Sequence, residues 1–380
     1  MKRSIYYFFI CFIIHSNVYS ISTSAEQAIL YDVETKTVIF EKNADDLMSP
    51  SSMSKLMTVY YIFKKISDGE IKLSDKFTVS KKAWKKGGSR MFLNVGSQIS
   101  IDELLRGIIV QSGNDACITI AEGFSGSEEN FATELNSLAL DIGLTNSNFT
   151  NATGWPDPEH LMTSRDIMKL SVRTIEDFPE LYKIYSEKEY TFNKIRQVNR
   201  NPLLFSDEYT DGLKTGHTSL GGYGLAASSI RNDRRIILVI NGLKNNKQRK
   251  IESKKLMDAG FYQFENLEIL KKDVIFDKLK VWNGKKNNVG IFSPTDLAIT
   301  VPRLTKKNIK SYIRYNSPII APIYKNQEIA ELIVKDKKQN VIEKYSLLSN
   351  EDIDESNFIA RVYFKLKYLI FGESIYKLDS

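Results

Sequence analysis

The chain has 380 residues, of which 42% are hydrophobic and 26% are charged, and its formal net charge is +7. This composition excludes a disordered protein, and the length allows one large domain and a smaller one. Lysines and glutamates are interleaved along most of the sequence, with no aromatic-rich basic module and no glycine-rich phosphate loop. We therefore expect a solvated surface of mixed charge and no nucleic-acid partner.

The first twenty residues have the pattern of a secretory signal peptide. Lys2 and Arg3 precede an apolar run over residues 5–14, which is shorter than the roughly 20 residues that span a bilayer. We expect cleavage after Ser20 and export to the periplasm or its extracytoplasmic equivalent. An uncleaved membrane anchor is the alternative. A lipoprotein is disfavoured because Cys11 lies within the apolar run without small residues before it.

Few side chains remain that could hold a metal. Without the signal peptide, Cys117 is the single cysteine, and His160 and His217 are the only histidines. A lone cysteine excludes an internal disulfide, and the apolar neighbours of Cys117 predict a small core residue in a helix. Two isolated histidines without a cysteine pair disfavour a zinc site. We expect no metal and no cofactor.

The apolar patterns predict an α+β domain over residues 21–265. An early hairpin, residues 28–32 and 37–41, is followed by helices and then by two further strands. Helices are predicted from Met53 to about Asp68 and around residues 100–123, 127–142, 164–174 and 247–264, and the later strands at 224–229 and 235–242. Pairing of the early hairpin with the late strands gives an antiparallel sheet flanked by helices. Short strands separated by turn residues predict a small β-rich domain over residues 270–352.

The last patterned segment, residues 357–372, is predicted to be an amphipathic helix. Arg361 and Lys365 lie on the side opposite an apolar face that comprises Ile359, Val362, Tyr363, Leu366, Leu369 and Ile370. We interpret this helix as a peripheral anchor that lies in a membrane surface. A helix packed on its own domain is the alternative.

Three short polar motifs interrupt otherwise apolar segments, in a fixed order. They are Ser52-Met53-Ser54-Lys55, Ser112-Gly113-Asn114 and Lys214-Thr215-Gly216-His217. Each motif alone is common, but the ordered set supplies a hydroxyl nucleophile, a lysine, a second hydroxyl with an amide, and a cationic strand. The order is that of a known acyl-serine signature. The set therefore predicts acyl transfer through an acyl-serine.

The first motif supplies a nucleophile and its base. Ser52 needs a base to become nucleophilic, and Lys55 lies one helical turn later, on the same face. A buried or cation-flanked lysine can have a pKa low enough for that role. The helix N-terminus adds a positive field at Ser52. The alternative is that Ser52 only caps the helix and Lys55 is exposed, with Ser51 as the other possible cap.

The second and third motifs supply a proton relay and substrate contacts. Ser112 could pass a proton to a leaving amine, and Asn114 could hold a substrate amide. Lys214 and Thr215 on an edge strand can hold a carboxylate, and Gly216 allows close approach.

With these motifs, the chain resembles the serine-type D-alanyl-D-alanine carboxypeptidases, the low-molecular-mass penicillin-binding proteins that trim bacterial peptidoglycan. The resemblance extends over almost the whole chain. Pro50 to Thr58 is similar to the nucleophile segment of that family, with Ser54 where threonine is usual. Further family landmarks are Asn151 to Trp155, His160, Ser164 to Asp166, Asn199 to Asn201, Asp211 to Thr218, Arg249 and Glu252.

The resemblance implies a role for each motif residue. Ser52 would be acylated, Lys55 would be the base and Ser112 the proton relay. Asn114 would bind the peptide, and Lys214 and Thr215 its terminal carboxylate. The oxyanion would lie between the backbone N–H groups of Ser52 and His217, beside Gly216.

The resemblance also implies partners. These are a peptidoglycan pentapeptide as substrate, β-lactam antibiotics as covalent inhibitors, and the outer surface of the cytoplasmic membrane, contacted by the C-terminal helix.

Two other functions use similar features. A class A β-lactamase usually has aspartate where this chain has Gly113, and it needs an additional glutamate that the sequence does not identify. An inactive wall-binding module would not require Ser52, Lys55, Ser112 and Lys214 to be intact.

Overall fold

The computed structural model describes residues 21–371, so the predicted signal peptide and residue 372 lie outside it. The N-terminal domain contains the strands β1 (Gln27–Asp32), β2 (Thr37–Lys42), β3 (Lys76–Thr78), β4 (Gln98–Ser100), β5 (Glu189–Phe192), β6 (Ile195–Val198), β7 (Thr210–Thr218), β8 (Gly222–Arg231) and β9 (Arg234–Leu243). Its α-helices are α1 (Lys55–Ser67), α2 (Lys81–Lys85), α3 (Ile101–Ile109), α4 (Asn114–Ser125), α5 (Glu128–Asp141), α6 (Ser164–Asp177), α7 (Pro179–Tyr182) and α8 (Asn246–Gln263). Short 3-10 helices occupy Ser51–Ser54, Lys183–Ser186 and Pro202–Phe205.

A five-stranded antiparallel sheet, in the order β2-β1-β9-β8-β7, forms the centre of this domain. The N-terminal strand β1 pairs with the late strand β9, with Ile29 opposite Val239. Side chains of β9 alternate between the two faces. Ile237 and Val239 pack under α1 and α6, whereas Ile236 packs with α8 on the other face. The predicted α+β fold class, with helices flanking an antiparallel sheet, is confirmed.

Helix α1 passes through the middle of the helical layer. Every residue from Lys55 to Phe63 is buried, so the first nine residues of the helix contact protein on all sides. Helices that are buried all round are usually apolar throughout. The buried Lys55 at the start of this helix is therefore an exception, and its amine needs polar partners inside the protein.

The segment predicted to be helical around residues 100–123 forms two helices, α3 and α4, with the second polar motif at the turn between them. The helix α3 ends at Ile109, Ser112 lies in the turn with a φ of 60°, and Gly113 is the N-cap of α4. The Asp115 carboxylate accepts hydrogen bonds from the backbone N–H groups of Met91 and Leu93, at 3.0 and 3.2 Å. The turn between the helices is therefore held by a contact with another segment, which apolar periodicity does not report.

The C-terminal domain is rich in strands. They are β10 (Phe264–Leu270), β11 (Asp277–Trp282), β12 (Asn288–Phe292), β13 (Leu297–Pro302), β14 (Lys310–Arg314), β15 (Ile319–Ile320), β16 (Glu328–Lys335) and β17 (Val341–Ser349), with a 3-10 helix at Arg303–Asn308. Six of them form one sheet, in the order β14-β16-β17-β12-β11-β15, and β10 pairs with β13. The helix α9 (Phe358–Phe371) follows. Among residues 21–371, no helix is both long and apolar enough to cross a membrane.

Buried polar contacts join the two domains. The Asp32 carboxylate is fully buried and accepts from Arg234 Nε at 2.6 Å and from Asn266 Nδ2 at 3.1 Å. Arg234 also donates to the carbonyl of Phe264, at 2.9 Å. Arg234 thus neutralises the Asp32 carboxylate on β1. Asp32 and Arg234 each also bond a residue near the start of β10, Asn266 and Phe264 respectively.

Candidate active site

Ser52 lies in the 3-10 helix that leads into α1. Neither predicted capping role is observed, because Pro50 occupies the N-cap position without a side-chain hydrogen bond. Ser51 Oγ instead lies 2.9 Å from Thr218 Oγ1, and the backbone of Ser51 has a φ of 50°. The segment around Ser52 is thereby attached to the last residue of β7.

The Lys55 amine is fully buried and makes two polar contacts. Its Nζ lies 2.8 Å from Ser52 Oγ and donates to the carbonyl oxygen of Thr153 at 2.6 Å. Burial, with a smaller contribution from the cations of Arg200 and Lys86, lowers the pKa of Lys55 to about 8. A carbonyl can only accept, so Thr153 takes one N–H of Lys55, and in the neutral form of the amine the lone pair can accept the proton of the Ser52 hydroxyl. The pair can therefore transfer a proton from the serine to the lysine.

A loop over residues 151–155 forms the other wall around Lys55. The Asn151 carboxamide oxygen accepts from the backbone N–H groups of Thr153 and Trp155, at 3.1 and 3.0 Å. Gly154 has a φ of 72°, and a Cβ there would lie 2.0 Å from the carbonyl oxygen of Ser51. Only glycine permits this close approach of the two segments. The Thr153 carbonyl was not predicted as a site group, because no side-chain pattern reports the position of a backbone carbonyl.

The second motif lies at the turn between α3 and α4. Ser112 is buried, and its Oγ has no hydrogen-bond partner within the part of the chain that the structure describes. Asn114 is the first residue of α4, and its side chain donates to the carbonyl of Gly87 at 2.8 Å. A buried hydroxyl without a partner is costly, so the free Ser112 Oγ suits a group that binds or reacts in the site.

The third motif lies on β7, at the edge of the sheet. Lys214 and Thr215 are buried, and burial together with the nearby Lys55 cation holds the pKa of Lys214 well below its ordinary value. A Cβ at Gly216 would lie 2.7 Å from the carbonyl oxygen of Pro50. His217 is exposed, and its ring centroid lies 3.8 Å from that of Tyr223. The edge strand therefore passes directly beside the Ser52 segment.

A cavity of about 510 Å³ connects the three motifs. Its lining includes five of the eight predicted site residues, Ser52, Ser112, Thr215, Gly216 and His217, together with Gly88, Ser89, Arg200, Tyr223, Asn246 and Arg249. Lys55 contacts the cavity wall through Ser52, while Lys214 and Asn114 are buried near it in the same motifs. No carboxylate is among these lining residues, so the cavity favours an anionic ligand.

Two arginines that were not among the predicted site residues add to that positive field. The buried Arg249 guanidinium donates to the carbonyls of Gly216 and Gly224, at 3.3 and 3.4 Å, and burial lowers its pKa to about 10. Arg200 donates to Ser89 Oγ at 2.6 Å. Both belong to distant segments that only the fold brings to β7, and a single sequence contains no signal for that.

Comparisons with known proteins identify relatives with the same two-domain order. Residues 15–245 match a family model described as D-alanyl-D-alanine carboxypeptidase, and residues 264–355 match one described as the C-terminal domain of penicillin-binding protein 5. The chain is 39% identical over 350 residues to the D-alanyl-D-alanine carboxypeptidase DacC of Escherichia coli. The aligned region covers 90% of this chain and 87% of the relative.

Solved structures are similar as well. The structure of penicillin-binding protein 5 from Haemophilus influenzae superposes with a TM-score of 0.80 at 35% identity, over 89% of this chain and 100% of that one. Penicillin-binding protein D2 from Listeria monocytogenes, in its ampicillin-bound form, superposes with a TM-score of 0.59 at 27% identity, over 64% of this chain and 99% of that one.

Proposed function

The chain belongs to the D-alanyl-D-alanine carboxypeptidase family, and we propose that it removes the terminal D-alanine from peptidoglycan pentapeptides through an acyl group on Ser52. Family membership makes it a serine-type D-Ala-D-Ala carboxypeptidase, which is a hydrolase. The observation that supports Ser52 is the 2.8 Å contact between its Oγ and the buried amine of Lys55. Nucleophile and base within hydrogen-bond reach are the geometry that acyl transfer requires.

In the first half-reaction, Ser52 Oγ attacks the carbonyl carbon of the penultimate D-alanine and passes its proton to Lys55. The resulting tetrahedral intermediate loses the terminal D-alanine when its C–N bond breaks. Ser112 gives a proton to the leaving amine and recovers one from the protonated Lys55. In the second half-reaction, water attacks the acyl-serine ester and its proton passes to Lys55. The ester C–O bond then breaks, Lys55 returns the proton to Ser52 Oγ, and the free enzyme is restored.

The oxyanion of the intermediate is assigned to the backbone N–H groups of Ser52 and His217. Two contacts that bring β7 against the nucleophile segment support this assignment, the 2.9 Å bond from Ser51 to Thr218 and the close approach of Gly216 to Pro50. Backbone donors held rigidly before the substrate arrives stabilise developing charge without having to reorganise.

The terminal carboxylate is assigned to Lys214 and Thr215, with Arg249 adding positive charge behind Gly216. This places the free carboxylate beside Thr215 and the reacting carbonyl beside Ser52. The acyl portion of the peptide then continues past His217, and Asn114 holds its amide. β-Lactams acylate the same serine in this proposal, in keeping with the ampicillin-bound form of penicillin-binding protein D2.

A comparison of wild type with Ser52→Ala tests the proposal. We expect the wild type to release D-alanine from a pentapeptide and to gain the mass of one penicillin, and Ser52→Ala to do neither. Ser171→Ala, which removes a buried hydroxyl in α6, should retain both properties as the matched control. Penicillin labelling that persists in Ser52→Ala would contradict the assignment. Rapid penicillin turnover without D-alanine release would indicate a β-lactamase instead.

Replacement of Lys214 tests the carboxylate contact. Lys214→Ala should reduce kcat/KM strongly for a peptide with a free terminal carboxylate and much less for the same peptide amidated, because only the former offers the anion. Lys55→Ala is the comparison variant, and loss of the base should slow both peptides alike, by about 10²- to 10⁴-fold. Steady-state kinetics on the two peptides decide the matter. An equal loss on both peptides in Lys214→Ala would contradict its role.

We also propose that the enzyme is exported and that α9 attaches it to the outer surface of the cytoplasmic membrane. The support is a set of exposed apolar side chains on this helix, Phe358, Ile359, Val362, Tyr363, Leu366, Leu369 and Ile370. Contiguous exposed apolar surface of this kind is typical of interfacial helices, and basic residues beside it favour anionic lipid. Arg361 and Lys365 supply that charge.

Truncation after Asn357 tests the anchor. The shortened enzyme should move from the membrane fraction to the soluble fraction and keep its hydrolysis of pentapeptide, because α9 lies outside the catalytic domain. Sedimentation with anionic vesicles measures the first property and D-alanine release the second. Continued sedimentation of the truncated enzyme would place the anchor elsewhere, and loss of activity in solution would make α9 part of the catalytic fold.

A further inference from the structure

His160 connects the nucleophile segment to the loop that holds Lys55. The ring is almost fully buried, at 2% exposure. Its Nδ1 accepts from the backbone N–H of Thr150 at 3.1 Å, and its Nε2 lies 2.7 Å from Ser54 Oγ. A backbone N–H can only donate, so the proton of the neutral ring is on Nε2, which donates to Ser54. One imidazole thus bonds residues on both sides of the base.

The two sides that the ring joins are those that orient the Lys55 amine. Ser54 precedes Lys55 directly in the chain. Thr150 begins the loop whose Thr153 carbonyl accepts from Lys55 Nζ at 2.6 Å. Thr58 Oγ1 supports the same loop one turn later, by donating to the carbonyl of Ala152 at 2.8 Å. The orientation of the lysine lone pair toward Ser52 therefore depends on the distance between these two segments.

We propose that His160 is a positioning residue for the base: by clamping Ser54 to the Thr150–Thr153 loop, it keeps the Thr153 carbonyl on Lys55 and water away from the amine. This inference rests on the proposed function, in which Lys55 is the base. His160 touches neither substrate nor Ser52 in this role, and it acts only through the geometry of Lys55.

The His160 ring neither gains nor loses a proton at neutral pH. Burial lowers the pKa of His160 to about 4, an effect that Asp157 opposes and the Lys55 cation reinforces. At neutral pH the ring is therefore uncharged, and its Nε2 donor is permanently present. The His160 clamp is independent of pH over the range in which Lys55 titrates.

The charged and titratable groups that face Lys55 come from several elements. Arg200, Lys86 and Lys214 favour the neutral amine, whereas Asp115 and Cys117 on α4 favour the charged one. Burial is nevertheless the largest cause of the lowered pKa. If the clamp opens, water reaches Nζ, and the pKa of Lys55 must rise toward its ordinary value.

The test is the pH dependence of the rate constant for acylation by penicillin in the full mature enzyme. In the wild type the rate constant should decrease toward acid pH with a midpoint near pH 8, the pKa of Lys55. We call this decrease the acid limb of the profile. His160→Phe keeps a ring but removes both hydrogen bonds, and its acid limb should move up by about one pH unit. The rate constant at pH 7 should then fall by about tenfold, while the value at pH 10 stays nearly that of wild type.

Ser54 supplies an independent pair of variants. Ser54→Ala removes the acceptor of the ring and should move the acid limb in the same direction as His160→Phe, whereas Ser54→Thr keeps a hydroxyl and should behave as wild type. Tyr185→Phe is the matched control, because it removes a buried hydroxyl that has no hydrogen-bond partner in the described chain, and it should leave the limb unmoved. If His160→Phe fails to fold, the Ser54 pair decides alone.

A loss of rate that is equal at every pH, in either His160→Phe or Ser54→Ala, would overturn the inference and leave His160 with a purely structural role. A limb that also moves in Tyr185→Phe would overturn it as well. These outcomes differ from failure of the proposed function, which would appear in the wild type as absence of penicillin labelling on Ser52.

Discussion

The burial of the Lys55 amine is the constraint on which this site depends. A charged ammonium that is removed from water loses its hydration, and the neutral form is favoured in its place. The lowering of its pKa to about 8 corresponds to about 3 kcal/mol between the two forms. The same burial that would destabilise a charged lysine therefore supplies a base near neutral pH. The surrounding elements serve to keep that amine dry and correctly aimed.

Four segments provide the enclosure, and each contributes something different. The start of α1 brings Lys55 within 2.8 Å of Ser52, and the Thr153 carbonyl takes one of its N–H groups. The turn before α4 places the free hydroxyl of Ser112 in the same cavity, and β7 places Thr215 on its wall with Lys214 buried next to it. The two buried amines repel each other when both are charged, and the Lys55 cation is among the causes that hold the pKa of Lys214 well below its ordinary value.

Much of this could be predicted from the sequence, because the chemistry of the motifs depends on side-chain identity and local spacing. Ser52 and Lys55 are one helical turn apart, a spacing that places both side chains on the same face of the helix. The pairing of β1 with β9 followed from the alternation of apolar residues and the usual layering of such domains. These features are determined locally or by simple packing rules.

The rest depended on contacts between distant segments. The break between α3 and α4 is stabilised by hydrogen bonds from the backbone of Met91 and Leu93 to Asp115, a contact that apolar periodicity does not report. The acceptor for Lys55 is the backbone carbonyl of Thr153, which any residue could provide. Arg249 reaches β7 from α8, through space rather than along the chain. Such contributions become visible only when the fold is known.

The central claim is that Lys55 is a largely desolvated amine with a pKa far below that of an exposed lysine. Its titration can be followed directly by ¹³C NMR of enzyme labelled at lysine Cε, with the Lys55 signal assigned by its absence in Lys55→Ala. The structure predicts an apparent pKa of about 8 for that signal in the wild type. A Lys55 signal that titrates near 10.5, the ordinary lysine value, would contradict the account.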